Sequence, residues 1–213
     1  TQDILRGQGR SVDQAGFDAA MAEQKARARA AWAGSGDAAD DALWLDIREK
    51  IGATEFLGYS AEAADGVVSA LVIDGAEVET AADGARAALI ANQTPFYAES
   101  GGQQGDRGAI AFAGGTRFIV EDTHKKAGGL HVHQGRVEGG AIALGDAGRF
   151  AVDADRRGGL RAHHSATHLL HEALRERLGT HVAQKGSLGA PDRRRFDVSH
   201  PKTMSADEVQ AVE

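Results

Sequence analysis

Five of the nine histidines crowd into the stretch Ala162 to Ser187: His163, His164, His168, His171 and His181. Neutral imidazole is the commonest metal ligand among side chains. Two of them at i and i+4 of a helix, as His164 and His168 would be, sit about 5–6 Å apart at Cβ and can close on one ion. At 100° per residue His171 falls on the same face. A metal held there could polarise a carbonyl, activate water or orient a substrate amine and hydroxyl. A solvated polar face that happens to carry histidines is the competing reading. Nine histidines in this length give about 0.4 chance pairs at this spacing, so the spacing alone is a weak motif. Ser165 stands where an HExxH zinc protease carries its general-base glutamate, which argues against protease chemistry.

A helix must position these residues. Ala166, Leu169, Leu170, Ala173, Leu174 and Leu178 recur at three- and four-residue steps, and predict one apolar face with the histidines roughly opposite. Gly179 suits the helix stop. The switch to this period falls near Arg161. Arg156, Arg157 and Arg161 precede the histidines and Arg193 to Arg195 follow them, as a local basic face or as ordinary solvated surface. Lys185 to Leu188 and Arg195 to Ser199 read as strands around Pro191-Asp192. Ser205 and Glu208 have capping-box spacing. Their helix reads as cut off, with barely two turns before Glu213.

Upstream the pattern is β. The runs VVSALVIDG, ARAALIANQ, FIVED, LHVHQGRV and GRFAVDAD are short, with Asp-Gly turns at Asp74-Gly75 and Asp83-Gly84, and predict a small barrel. Thr94 to Ile110, TPFYAESGGQQGDRGAI, is glycine-rich but lacks the Lys-Ser/Thr ending of a P-loop and is not GxGxxG. It reads as a tight loop between strands. At the start, Ser11 and Gln14 have capping-box spacing and Asp13 adds negative charge. A helix is predicted through Ala33, with Phe17, Ala20, Met21, Ala28, Ala31 and Trp32 as packing positions. Gly34 to Asp37 reads as a linker, and Asp40 to Ile51 as a short helix carrying Leu43, Trp44 and Ile47.

Hydrophobic residues make up 42% of the chain, enough for a buried core, and aromatics only 5%. The net charge of −7 argues against a general nucleic-acid binder, though phosphates respond to local rather than average charge. No cysteine is present, so there is no disulfide framework. No apolar run is long enough for a membrane span and no signal peptide is visible, so a cytoplasmic protein is expected, with no membrane partner.

The string HSATHLLHEALRERLGTHVAQKGS, followed by RRRFDVSH at Arg193 to His200, resembles the start of the editing domain of alanyl-tRNA synthetases. That domain is shared with threonyl-tRNA synthetases and free-standing alanyl-tRNA editing proteins. TQDILRGQGRSVDQAGFDAAMAEQKARARAAW resembles the end of the synthetases' tRNA-recognition region, a segment the free-standing proteins lack. TPFYAESGGQQGDRGAI resembles their barrel's signature loop, placed near the editing cleft. The resemblance implies an α+β multidomain fragment. Its parts are a helical end of the tRNA-recognition region (1–33), a linker with a short helix (34–56), a β-barrel (57–156) and the start of an α+β editing domain (157–213). It implies that His164 and His168 are zinc ligands, that Thr167 and Gln184 line the editing pocket as its catalytic residues, and that Lys185 to Ser187 shape its floor. The other two ligands would come from a CxxxH motif beyond Glu213, with His163, His171 or His181 as the alternative. The implied parent enzyme attaches alanine to tRNA(Ala) with ATP and Mg, in a core preceding Thr1, and hydrolyses Ser-tRNA(Ala) and Gly-tRNA(Ala). The fragment alone is expected to be inactive. A free-standing trans-editing hydrolase is the alternative.

Overall fold

The computed structural model describes residues 13, 16, 17, 19–21, 23, 37–100 and 102–212. The chain divides into two compact units, residues 1–42 and 43–213. In the first, residues 16, 17, 19–21 and 23 are helical. Asp13 is the cap: its Oδ1 accepts the Gly16 N–H at 2.9 Å and its carbonyl the Phe17 N–H at 3.0 Å. Ser11 and Gln14, expected to do this as a box, lie outside the described residues, as do Ala28, Ala31 and Trp32. Phe17 and Met21 were expected to pack, but they are exposed, as is every described residue from 13 to 23.

Helix α1 (Asp37–Ile51) leads into the second unit. Trp44 and Ile47 bury there against Ala70, Val72, Ile90, Leu130 and Val132, on the outside of a barrel. The strands are β1 (Glu55–Phe56), β2 (Ala63–Ile73), β3 (Ala76–Val78), β4 (Thr80–Ala81), β5 (Arg86–Ala91), β6 (Gln93–Thr94), β7 (Gly108–Phe112), β8 (Arg117–Lys126), β9 (Leu130–Glu138), β10 (Ile142–Ala143) and β11 (Ala147–Val152). The order β11-β7-β8-β9-β5-β2 closes through a β11–β2 pairing into six strands, which leaves no edge between them. β3 hangs from β2 through the turn at Asp74-Gly75, both at positive φ as that two-residue hairpin requires.

Alternation fills the interior with Leu71, Leu89, Ile110, Phe118, Val137 and Phe150, all fully buried. A register shift in β2 between Val68 and Ala70 changes the parity. Val68 and Leu71, three apart, therefore both face inward, and Ala70 and Val72 turn out to meet α1.

β11 runs into helix α2 (Ala154–Leu178). The hairpin β12 (Gln184–Gly189)–β13 (Arg194–Val198) and the short helix α3 (Ala206–Val212) follow. The Ser205/Glu208 capping box forms reciprocally, at 2.9 and 3.2 Å. The fold is thus α+β: helices, a small β-barrel and an α+β segment. The helical period begins earlier than expected, at Ala154 rather than near Arg161. Gly158-Gly159 is a poor helix pair and disguised the first two turns.

Candidate functional site

Asp153 caps α2 immediately after β11, its carboxylate accepting the Arg156 N–H at 3.0 Å. Two arginines in the next turn fix the helix to the barrel. Arg157 is 3% exposed. Its guanidinium pairs with the Asp106 carboxylate and donates to the carbonyls of Gly58 at 3.1 Å and Pro95 at 2.7 Å. Asp106 also accepts the Tyr97 N–H at 2.6 Å. Arg156 donates to the Gly105 carbonyl at 2.7 Å and to Gln104 Oε1 at 3.0 Å. The reading of these two arginines as a phosphate-facing or solvated cluster is therefore corrected: they clamp the glycine-rich loop. Only Arg161 of the three is open, loosely paired with Glu62 at 3.6 Å.

The loop in turn holds the hairpin. Gly189 N–H donates to Gly102 O at 2.8 Å and Gln104 N–H to Gly189 O at 3.1 Å. A Cβ on Gly102, at φ +83°, would collide with the Ser187 carbonyl, so glycine is required there.

The face that α2 turns inward is not the expected one. Arg157, Leu160 and Leu174 are buried, with His163, Thr167, Leu170, His171 and Leu178 half-buried between them. Leu169, assigned to the apolar face, is 73% exposed. His171 belongs to the inward stripe, with its ring 5.5 Å from Phe196 and Nε2 3.4 Å from the Val182 carbonyl. His164 and His168 ride on the edge of that stripe, not opposite it. The cause is the neighbour: α2 meets a glycine-rich loop and a polar hairpin, and counting apolar residues cannot tell which side such a surface accepts.

The His164 and His168 Nε2 atoms are 3.3 Å apart and their ring centroids 5.1 Å. Two nitrogens about 2.05 Å from a tetrahedral zinc ion would be separated by about 3.3 Å, so the pair fits two positions of such a site. They open on a cavity of about 210 Å³ lined also by Gly102, Gln103, Leu160, Thr167, Gln184, Ser187 and Gly189. Thr167 Oγ1 donates to the His163 carbonyl at 2.9 Å, which fixes its rotamer and leaves its lone pairs for a donor in the cavity. Gln184 Nε2 donates to Ser187 Oγ at 3.1 Å. Lys185 and Gly186 line an adjoining hollow with Gly102, Gln184 and Ser187.

The structure thus brings His164, His168, Thr167 and Gln184 to one cavity. Among the described residues it does not bring a third ligand. His163 Nδ1 is sealed without a partner. His181 stacks on His200, with Nε2 2.9 Å from the other ring's Nδ1. Among the described residues, the one group of three ligand-bearing side chains close enough to share an ion is Glu99, Asp122 and His124, elsewhere on the barrel.

Two further histidines escaped the sequence reading. His133 is fully buried inside the barrel. Its Nδ1–H donates to the Leu89 carbonyl at 2.9 Å. With the proton on Nδ1, Nε2 accepts from the Thr94 hydroxyl at 2.8 Å, and Thr94 Oγ1 itself accepts from Phe96 N–H at 3.1 Å. Burial lowers the His133 pKa to about 4, so this is the network of the neutral ring. Burial lowers that of His131 as well. An imidazole in an inward position of β9 reads as polar in sequence, and only strand parity could have flagged it.

A family model described as tRNA synthetases class II (A) matches residues 1–156. This chain belongs to that family. The match ends eight residues before His164, but relatives cover the rest of the chain. Alanine–tRNA ligases of Granulibacter bethesdensis, Rhodopseudomonas palustris and Bradyrhizobium diazoefficiens are 61%, 62% and 58% identical to it over 213 residues. Each alignment takes in 100% of the chain and 24% of the relative. The chain therefore spans about a quarter of the length of these ligases. The resemblance to alanyl-tRNA synthetases holds across the whole of it. No described helix is long and apolar enough to cross a membrane.

Proposed function

We propose that this class II synthetase segment belongs to an alanine–tRNA ligase and carries the barrel and half of its editing site, in the cytoplasm. In this reading the parent enzyme charges tRNA(Ala) with alanine, using ATP and Mg supplied by a core outside the segment. Residues 1–33 end its tRNA-recognition region, 34–56 link, 57–156 form the barrel and 157–213 begin the editing domain. An alanine pocket rejects the smaller glycine and the hydroxylated serine poorly, which is why a second, hydrolytic site is useful.

The observation that carries the reading is the 3.3 Å spacing of His164 and His168 over a cavity shared with Thr167 and Gln184. His164 and His168 would hold zinc, which when bound can polarise the ester or orient the substrate amine and hydroxyl. Thr167 and Gln184 would position the misplaced amino acid: Thr167 Oγ1 can accept from its amine or hydroxyl, and Gln184 Oε1 can do the same. The loop at Gly102 and the hairpin at Ser187 limit the space around it. Two imidazoles are one ligand short of the usual catalytic minimum. The 213-residue chain should therefore hold little stoichiometric zinc and hydrolyse neither Ser-tRNA(Ala) nor Gly-tRNA(Ala). The chain extended through a CxxxH motif should gain both, and lose both again in His164→Ala or His168→Ala. Elemental analysis and deacylation assays decide it. One tightly held zinc per 213-residue chain, or an extended chain that hydrolyses equally well without His164, would overturn the ligand set. A free-standing editing hydrolase is disfavoured by the family match from residue 1.

A further inference from the structure

Glu99, Asp122 and His124 meet on the outer side of the barrel, and none of them lines the histidine cavity or the hollows beside it. Their placement follows from β8. β7 accompanies that strand only from Arg117 to Val120, while β9 continues beside it to Lys126. A register shift lies between Val120 and Asp122. By parity with Phe118 and Val120, Asp122 and His124 would point into the barrel. The shift reverses this: Thr123 is fully buried, and Asp122 and His124 share the outer side. The start of the glycine-rich loop takes the place that β7 has left. Glu99 N–H donates to the Thr123 carbonyl at 2.8 Å, and Glu99 forms a parallel bridge with His124.

Ligand atoms of the three side chains therefore lie within 4.8 Å of one another. Asp122 Oδ1 accepts the Thr123 N–H at 2.8 Å, which fixes the carboxylate and leaves Oδ2 at 3.4 Å from His124 Nε2. Two ligands about 2.1 Å from a tetrahedral zinc ion would stand about 3.4 Å apart. Glu99, exposed at the rim, is within reach of the third position. Among the described residues neither carboxylate forms an ion pair with a lysine or arginine. Arg156 interacts with Asp122 only at a distance, its guanidinium being committed to Gly105 and Gln104. Two carboxylates beside an imidazole match the charge of a divalent ion. One nitrogen and two oxygens favour zinc or a similar borderline metal over magnesium and calcium, which take oxygen ligands.

We propose that Glu99, Asp122 and His124 form a divalent-metal site of the zinc class that clips the glycine-rich loop to β8. Gly102 and Gln103, a short step along the loop from Glu99, wall the histidine cavity, so the clip stiffens that wall from outside it. The site stands apart from His164 and His168 and does not depend on the editing reading. Three partly exposed ligands make a loose, exchangeable site, which dialysis empties and which is therefore distinct from a tightly held zinc.

The probe is zinc chloride, titrated by calorimetry into the dialysed 213-residue chain carrying His164→Ala and His168→Ala, so that the other imidazole pair is silent. One zinc per chain is expected. His124→Ala and Glu99→Gln should each weaken its binding about tenfold or more. Neither side chain is buried, so the metal-free variants should melt as their parent does. The His124 ring nitrogens should shift in long-range nitrogen–proton spectra, and zinc should slow amide exchange from Gly102 to Gln104. Magnesium should do neither. No binding at millimolar zinc, ring shifts confined to His181 and His200, equal affinity in His124→Ala, or an equal response to magnesium would each overturn the site. Binding through His124 with unchanged exchange from Gly102 to Gln104 would overturn the clip.

Discussion

The barrel and the α2–hairpin segment solve the problem of holding shape in different ways. The barrel closes on itself, and Leu89, Ile110, Phe118 and Phe150 inside it have no exposed surface. Its one fully buried imidazole, His133, has partners at both nitrogens. The segment is open by comparison. Over 25 residues α2 buries only Arg157, Leu160 and Leu174, and no residue of β12 or β13 is fully buried. Apolar area holds the barrel together. The segment is fastened at its root, by Arg157 on Asp106 and by the loop-to-hairpin hydrogen bonds at Gly102 and Gly189. That arrangement leaves His164, His168 and Gln184 exposed at its surface.

Cutting that fastening should have the largest effect. Arg157→Ala strands a buried carboxylate and two carbonyls, and should cost about 3–5 kcal/mol in urea unfolding. A loss under about 1 kcal/mol would mean that apolar packing carries the joint after all. Acid should strike the barrel instead. The His133 pKa is depressed from 6.5 to about 4 in the folded state, so its contribution is fully present above pH 6.5 and is lost as pH falls towards 4. The loss is about 3 kcal/mol across that window. Thermal melts of the parent and His133→Gln should therefore converge as pH falls, and parallel curves would assign the acid sensitivity to another group. The smallest effect belongs at the far end of the segment. Ser205→Ala removes one half of the α3 capping box and should lower amide-exchange protection in α3 by about 1 kcal/mol, with barrel amides unmoved.

The same contrast governs what could be read from the sequence. Barrel strands announce themselves through alternation and Asp-Gly turns, because a closed sheet imposes a strict in-and-out rule on each residue. β7 was hidden at the end of the glycine-rich loop, where GAIAF is too short and too small to stand out. The bulge in β2 changes parity without any mark in the residues themselves. In the segment, the i, i+4 spacing of His164 and His168 was legible because it is local. The inward stripe of α2, the burial of Arg157 and the Gln103 wall were not, since each depends on a neighbour far away in the chain. Arginine also looks the same in sequence whether it meets phosphate, water or a buried aspartate.

Arg157 hydrogen-bonds to groups 51, 62 and 99 residues away in the chain. The cavity beside it takes one wall from Gly102 and Gln103 and another from Gln184 and Ser187. A peptide from Ala154 to Gly189 would contain His164 and His168 but not Gly58, Pro95, Gly102 or Asp106, the groups that fasten the helix and hairpin to the barrel. Moving that stretch onto another scaffold would transfer the spelling of the site without its shape. The transplantable unit is the barrel together with its helix and hairpin, from Glu55 to Val198.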